Sequence, residues 1–190
     1  SHKIMEGSVK LQGLPCTFDS DFSKGQTLQL TAEDHTLGLT VDLFYTIYED
    51  TDAIVRWSKI TLNKDSSQSH VYIKKALSAC FDMDNDNYDT ITLNGSWARE
   101  RHIDRHPIHM GIQRACSIRG ETSHQEHPFI ALLDHNTDYN SGRVWGINFI
   151  YSGNFIADVQ KNQFDSIRIL MGINPDNFCF FCLYAYCSVH

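Results

Sequence analysis

Apolar and polar residues alternate with a period of two along much of this chain, and no other feature of the sequence restricts its fold as strongly. Leu37, Leu39, Val41, Leu43, Tyr45 and Ile47 alternate with Gly38, Thr40, Asp42, Phe44, Thr46 and Tyr48. Successive side chains of a strand point to opposite faces of a sheet, so this stretch predicts a long strand with the first set buried. Shorter runs of the same character occupy residues 28–30, 53–62, 71–80, 91–97, 129–133, 144–151 and 167–173, and the opening residues also read as a strand. Turn-forming sequences separate them: Asn63 to Ser67, Asn94-Gly95, Asn140-Ser141-Gly142 and Ser152-Gly153-Asn154. Asn, Asp, Ser and Gly favour such positions because they tolerate left-handed backbone or bond their own main chain. Capped segments of helical period are nearly absent. Many strands joined by such turns predict an all-β chain, an antiparallel sandwich or open barrel.

Size and charge narrow the partners. A chain of 190 residues with 42% hydrophobic content can bury a core without disulfide support. Its six cysteines are therefore expected as reduced thiols in a cytoplasmic protein. A net charge of −7 opposes nucleic acid and anionic membranes, which require a basic surface. No run reaches the ~18 apolar residues that span a bilayer. The first Met is at position 5, which leads us to expect a piece of something longer.

Several motifs invite chemical readings. Asp82, Asp84 and Asp86 alternate as in a calcium loop, but Asn87 stands where the loop needs Gly and Leu93 where it needs a bidentate Glu. A solvated acidic loop is the simpler expectation. His102, His106, His109, His124 and His127 are dense enough to suggest zinc, but Pro107 opposes the helix that would align the first three. Cys179, Cys182, Cys187 and His190 have a zinc-like spacing, although Phe180, Phe181, Leu183 and Tyr184 between them suit a buried strand. Ser123-His124 has no nucleophile elbow, and Glu49, Asp50 and Asp52 fit a solvated turn as well as a glycosidase pair. Neither a metal site nor a cofactor is expected.

The run Trp97-Ala98-Arg99-Glu100-Arg101-His102 differs, because alternating cations and anions are costly to bury unless paired. One reading is a structural salt-bridge strand. The other is a sugar platform, with the Trp97 indole stacking on pyranose C–H groups while charged forks bind hydroxyls.

The string from Leu93 to His102, Arg105-His106-Pro107-Ile108 and the string from Ser117 to Gln125 resemble the N-terminal domain of glycoside hydrolase family 36 alpha-galactosidases. Leu14-Pro15, Tyr48-Glu49-Asp50, Ala76-Leu77-Ser78-Ala79, Tyr151-Ser152-Gly153-Asn154-Phe155 and Met171-Gly172-Ile173-Asn174-Pro175 extend the resemblance, in order, over residues 1–175. It implies an antiparallel beta-supersandwich, truncated at both ends relative to the family domain, with residues 176–190 a divergent tail. In the family, the sandwich packs against a (β/α)8 barrel that hydrolyses galactosides of the melibiose and raffinose type with retention. Both catalytic aspartates belong to that barrel, and its nucleophile motif does not occur here.

The resemblance therefore implies a non-catalytic region that supports the barrel, contributes to a homo-oligomer and shapes the pocket for galactoside sugars. Trp97 is the expected substrate contact, and Arg99 and Arg101 are expected to support the pocket by tethering its loop. The alternatives are a free-standing carbohydrate-binding module, or an enzyme in its own right with an undetected carboxylate pair.

Overall fold

The computed structural model describes residues 1–11, 16, 24–84 and 87–176, together with the backbone of 180–182 and 187–189. Every regular element among them is a strand, all pairings are antiparallel, and the chain divides into two compact units. The first comprises Ser1–Ser78 and Phe178–His190, the second Ala79–Asn177.

The first unit is built on β1 (His2–Glu6), β2 (Gly25–Asp34), β3 (Leu39–Tyr48) and β4 (Thr51–Leu62), with β5 (Val71–Ile73) following. The first four pair in sequence order, as short connections dictate. The backbone of Cys187–Val189 extends that sheet beside β4, and that of Phe180–Cys182 pairs with β5.

The long strand is where expected, but its buried face is inverted. Phe44 and Thr46 are buried, whereas Ile47 is 53% exposed and Leu39, Val41, Leu43 and Tyr45 are only half-buried. The reason lies across the ladder. Phe44 is paired with Trp57 of β4, and their rings stack with centroids 3.8 Å apart and planes 6° from parallel. A stacked pair of aromatics on one face offers a large apolar area whose burial is favourable. Beside them the buried hydroxyls of Thr27 and Thr46 lie 2.8 Å apart and satisfy each other, and Thr27 also donates to Gly7 O at 2.7 Å.

The second unit holds two four-stranded sheets. One has the order β11 (Val144–Asn148), β10 (Glu126–Asp134), β7 (Tyr88–Ser96), β8 (Arg99–Pro107). The other runs β6 (Ala79–Met83), β13 (Ile167–Ile173), β12 (Phe155–Lys161), β9 (Gly111–Cys116). β10 packs on β9 and β12, and the core between the sheets draws on Ile130, Leu132, Phe155, Val159, Ile169 and Met171. Residues 71–80, expected as one strand, form β5 and β6 in different units, interrupted where Lys74-Lys75 breaks the alternation.

The inverted face yields a direct test. Trp57→Ala should cost about 3–5 kcal/mol in urea unfolding, the usual loss for a buried large aromatic. Ile47→Ala, on the face that the alternation marks as buried, should cost under about 1 kcal/mol. Comparable losses at the two positions would contradict the observed orientation of β3.

Candidate functional site

Trp97 and Ala98 form the two-residue tip of the β7–β8 hairpin, closed by the pairing of Ser96 with Arg99. Asn94-Gly95, expected as the turn, lies instead within β7. Opposite it the ladder shifts by one residue, so that Glu100 and Arg101 face the single residue Gly95. Such a bulge re-aims the strand that carries it, and here the extra residue is absorbed by Arg101 at φ 59° and Ala98 at φ 61°. Gly95 has no alternative at this position: a β-carbon there would lie 2.3 Å from Arg99 O.

The tip presents its tryptophan to solvent. Trp97 is 82% exposed, an arrangement incompatible with a core role. Arg99 and Arg101 are also exposed, and among the described residues neither guanidinium forms a hydrogen bond or ion pair. The tip is held by other groups. The Glu100 carboxylate accepts from Ala98 N–H at 2.8 Å, and Gly95 N–H donates to Gln125 O at 3.0 Å.

Gln125 ends a loop, residues 117–125, that leads from β9 to β10. Beside it is a cavity of about 190 Å3 lined by Cys116, Ser117, Arg119, Ser123, Gln125 and Glu126. The Glu126 carboxylate accepts from Cys116 N–H, and Arg119 donates to the Gln125 side chain. Burial pushes the Cys116 thiol up, reinforced by the Glu126 charge, which leaves it protonated and unreactive at neutral pH. Burial and the nearby Arg101 charge push His127 down, so the imidazole there is neutral.

The other sequence candidates do not converge. Among the described residues no three His, Cys, Asp or Glu side chains come together as metal ligands, and His106 bonds Asp104 on its own strand at 2.8 Å. Asp86 and the side chains of Cys179, Cys182, Cys187 and His190 lie outside the described residues. The acidic stretch is not simply a solvated loop: Asp82 takes a bidentate bond from Arg168 across the β6–β13 ladder, at 2.7 and 2.9 Å. At its other end Asp89 is buried on β7, where Arg105 Nε donates at 2.7 Å and His135 Nδ1 lies at 2.9 Å. Arg105 also donates to Thr137 O and His135 O, both at 2.7 Å, and so clamps the β10–β11 connection. This cluster has no sequence signature, because its members are 16 to 46 residues apart.

The described residues thus form an antiparallel β-sandwich that carries an exposed tryptophan at a constrained hairpin tip. The chain belongs to the glycosyl hydrolase family 36 N-terminal domain family, whose model matches residues 1–183. It is 40% identical over 178 residues to the alpha-galactosidase AgaA of Geobacillus stearothermophilus, covering 94% of this chain and 24% of that protein. It is 39% identical to the alpha-galactosidase Mel36A of Lactobacillus acidophilus over 94% of this chain, again 24% of the relative. The crystal structure of AgaA superposes on the whole chain with a TM-score of 0.94 at 38% identity, over 26% of its own length. The chain thus spans about a quarter of the length of these relatives.

Two outcomes follow from the site geometry. Gly95→Ala should destabilise the hairpin by about 1–3 kcal/mol in urea unfolding, because a rigid backbone oxygen occupies the space its methyl needs. For Asp89, burial raises the carboxyl, but the bonds from His135 and Arg105 outweigh it and hold the group below the usual carboxylate range. A depressed folded value contributes stability that is complete above the unfolded value of about 3.9 and disappears as the pH falls through the folded one. Asp89→Asn should therefore cost about 1–3 kcal/mol at neutral pH. The gap from wild type should close below about pH 3.9 in unfolding measured across a pH series.

Proposed function

We propose that this chain is the non-catalytic N-terminal region of an alpha-galactosidase and that the Trp97 hairpin forms part of the galactoside pocket completed by a catalytic barrel. The observation that carries this reading is the 82% exposure of a tryptophan on a constrained hairpin, in a chain 40% identical to one quarter of an alpha-galactosidase. A large aromatic held out in water costs free energy unless something covers it. A pyranose ring, whose axial C–H groups form an apolar patch, suits the indole face. A variant of AgaA has been solved in complex with raffinose, which supports an alpha-galactoside as the sugar. Arg99 and Arg101 flank the tip as exposed donors for hydroxyls, and homo-oligomer contacts are a further role that the family suggests for this region.

Covalent retaining hydrolysis needs two carboxyl groups about 5 Å apart across the scissile bond. The buried carboxylates Asp89 and Asp158 are each committed to arginine. The purified chain should accordingly release no nitrophenol from p-nitrophenyl alpha-galactoside.

The pocket role is tested in a full-length relative. Replacing the tryptophan that matches Trp97 by Ala should raise KM for melibiose roughly fivefold, since a stacked ring contributes about 1 kcal/mol. Tm should stay nearly unchanged. A large fall in Tm with normal KM would refute the assignment, and tight melibiose binding by the 190-residue chain alone would favour a free-standing carbohydrate-binding module.

A further inference from the structure

Four stretches distant in sequence, around Gly95, Ser117 to Gln125, Tyr151 to Phe155 and Met171 to Pro175, are linked through main-chain and buried amide groups within the second unit. Asn154, 5% exposed, accepts from Gly120 N–H through its side-chain oxygen at 2.6 Å. Its own main-chain oxygen accepts from Asn174 N–H at 3.1 Å. Asn174, fully buried, donates through Nδ2 to Ser117 O at 3.2 Å and accepts from Asp176 N–H at 2.9 Å. Ser117 N–H reaches Phe155 O at 3.0 Å, its hydroxyl donates to Glu121 O at 2.6 Å, and Thr122 N–H reaches Ser152 O at 2.8 Å. Gly120 sits at φ 88°, a conformation that side chains rarely adopt, so its N–H can point at Asn154.

The network is larger than the loop's own needs. Connecting segments of this length normally run over the surface with their main-chain groups in water. This one is fastened from beneath by two buried asparagines, and its free end, Gln125 O, receives Gly95 N–H, the group just before the Trp97 tip. At its buried members Ser117, Asn154 and Asn174 the network holds its geometry closely, because each bond lost there leaves an unpaired group in a poorly solvated place. Gly95 is also where the strand has no spare room, so any shift of Gln125 is passed to the hairpin backbone.

We propose that Asn154 and Asn174 are positioning residues: acting through the 117–125 loop and the Gln125–Gly95 bond, they set the height and orientation of the Trp97 indole. Its bearing on sugar recognition rests on the pocket role proposed for Trp97, but the mechanical coupling stands independently of it.

The test is fluorine NMR of the 190-residue chain labelled with 5-fluorotryptophan, which gives one line each for Trp57, Trp97 and Trp145. Trp97→Phe assigns the relevant line. In Asn154→Ala the Trp97 line should move by more than its own width or broaden, while the Trp57 and Trp145 lines stay in place. Asn154→Asp, which keeps the acceptor oxygen for Gly120 N–H, should restore it. An unmoved Trp97 line in folded Asn154→Ala, equal changes at all three lines, or no restoration by Asp would each overturn the proposal. If Asn154→Ala does not fold, Asn154→Ser, whose shorter side chain keeps a polar group but withdraws the acceptor from Gly120 N–H, decides by the same line: displacement supports the coupling and constancy overturns it. An unchanged KM on loss of the matching tryptophan in a relative would remove the sugar reading and leave the NMR result standing.

Discussion

The Asp158 carboxylate lies in the middle of β12, 1% exposed, on a strand whose residues from Phe155 to Val159 are buried on both faces. An uncompensated charge there would cost about 3–5 kcal/mol, comparable with the whole stability of a small domain. Arg114, directly across the β9–β12 ladder, neutralises it with two parallel bonds of 2.6 and 2.9 Å. The guanidinium remains 40% exposed, so it satisfies its partner without itself being buried, and the Asp158 bond pushes its own protonation range up. β12 pairs with both β9 and β13, so fixing Arg114 opposite Asp158 fixes the register of β9 and hence the point at which residue 117 leaves the sheet. The anchored loop and the Trp97 hairpin follow from that register.

The same device recurs at lower burial. Arg168 with Asp82 crosses the β6–β13 ladder, and Arg143 with Asp134 closes the β10–β11 connection, in each case with a forked pair of bonds. These exposed pairs contribute little to stability, since water screens them. Their forked geometry holds strand ends in one alignment, which matters for a chain made only of short strands. β8 shows the complementary use of charge. It is an edge strand, exposed along nearly its whole length and carrying Arg99, Glu100, Arg101, Asp104 and Arg105. Charges on an unpaired edge prevent another strand from adding to it, which leaves the hairpin free to present Trp97.

The sequence was most legible where a strand has one wet face. The alternation locates β3 and β4, and the apolar run at 129–133 locates β10. It fails at β12, because Asp158 breaks the apolar run and burial of both faces removes the alternation. It also misplaces the buried face of β3, since the Phe44–Trp57 stack involves two strands and no single strand records it. The site divides in the same way. Trp97 stands out in the sequence as an aromatic beside alternating charges, but its exposure depends on a bulge across from Gly95, where the sequence suggested a turn. Among the described residues the tip is held by Glu100 and by backbone groups that have no residue-type signature.

By itself the sequence determined the all-β class, the antiparallel connections and the family, because period, turn chemistry and motif order are local or linear properties. Tertiary structure alone decided which face of β3 is buried, which carboxylates are neutralised and how four separate motifs combine beneath one hairpin. Those outcomes depend on groups up to 86 residues apart, as Arg168 and Asp82 are, and their energies are set by the burial that folding creates.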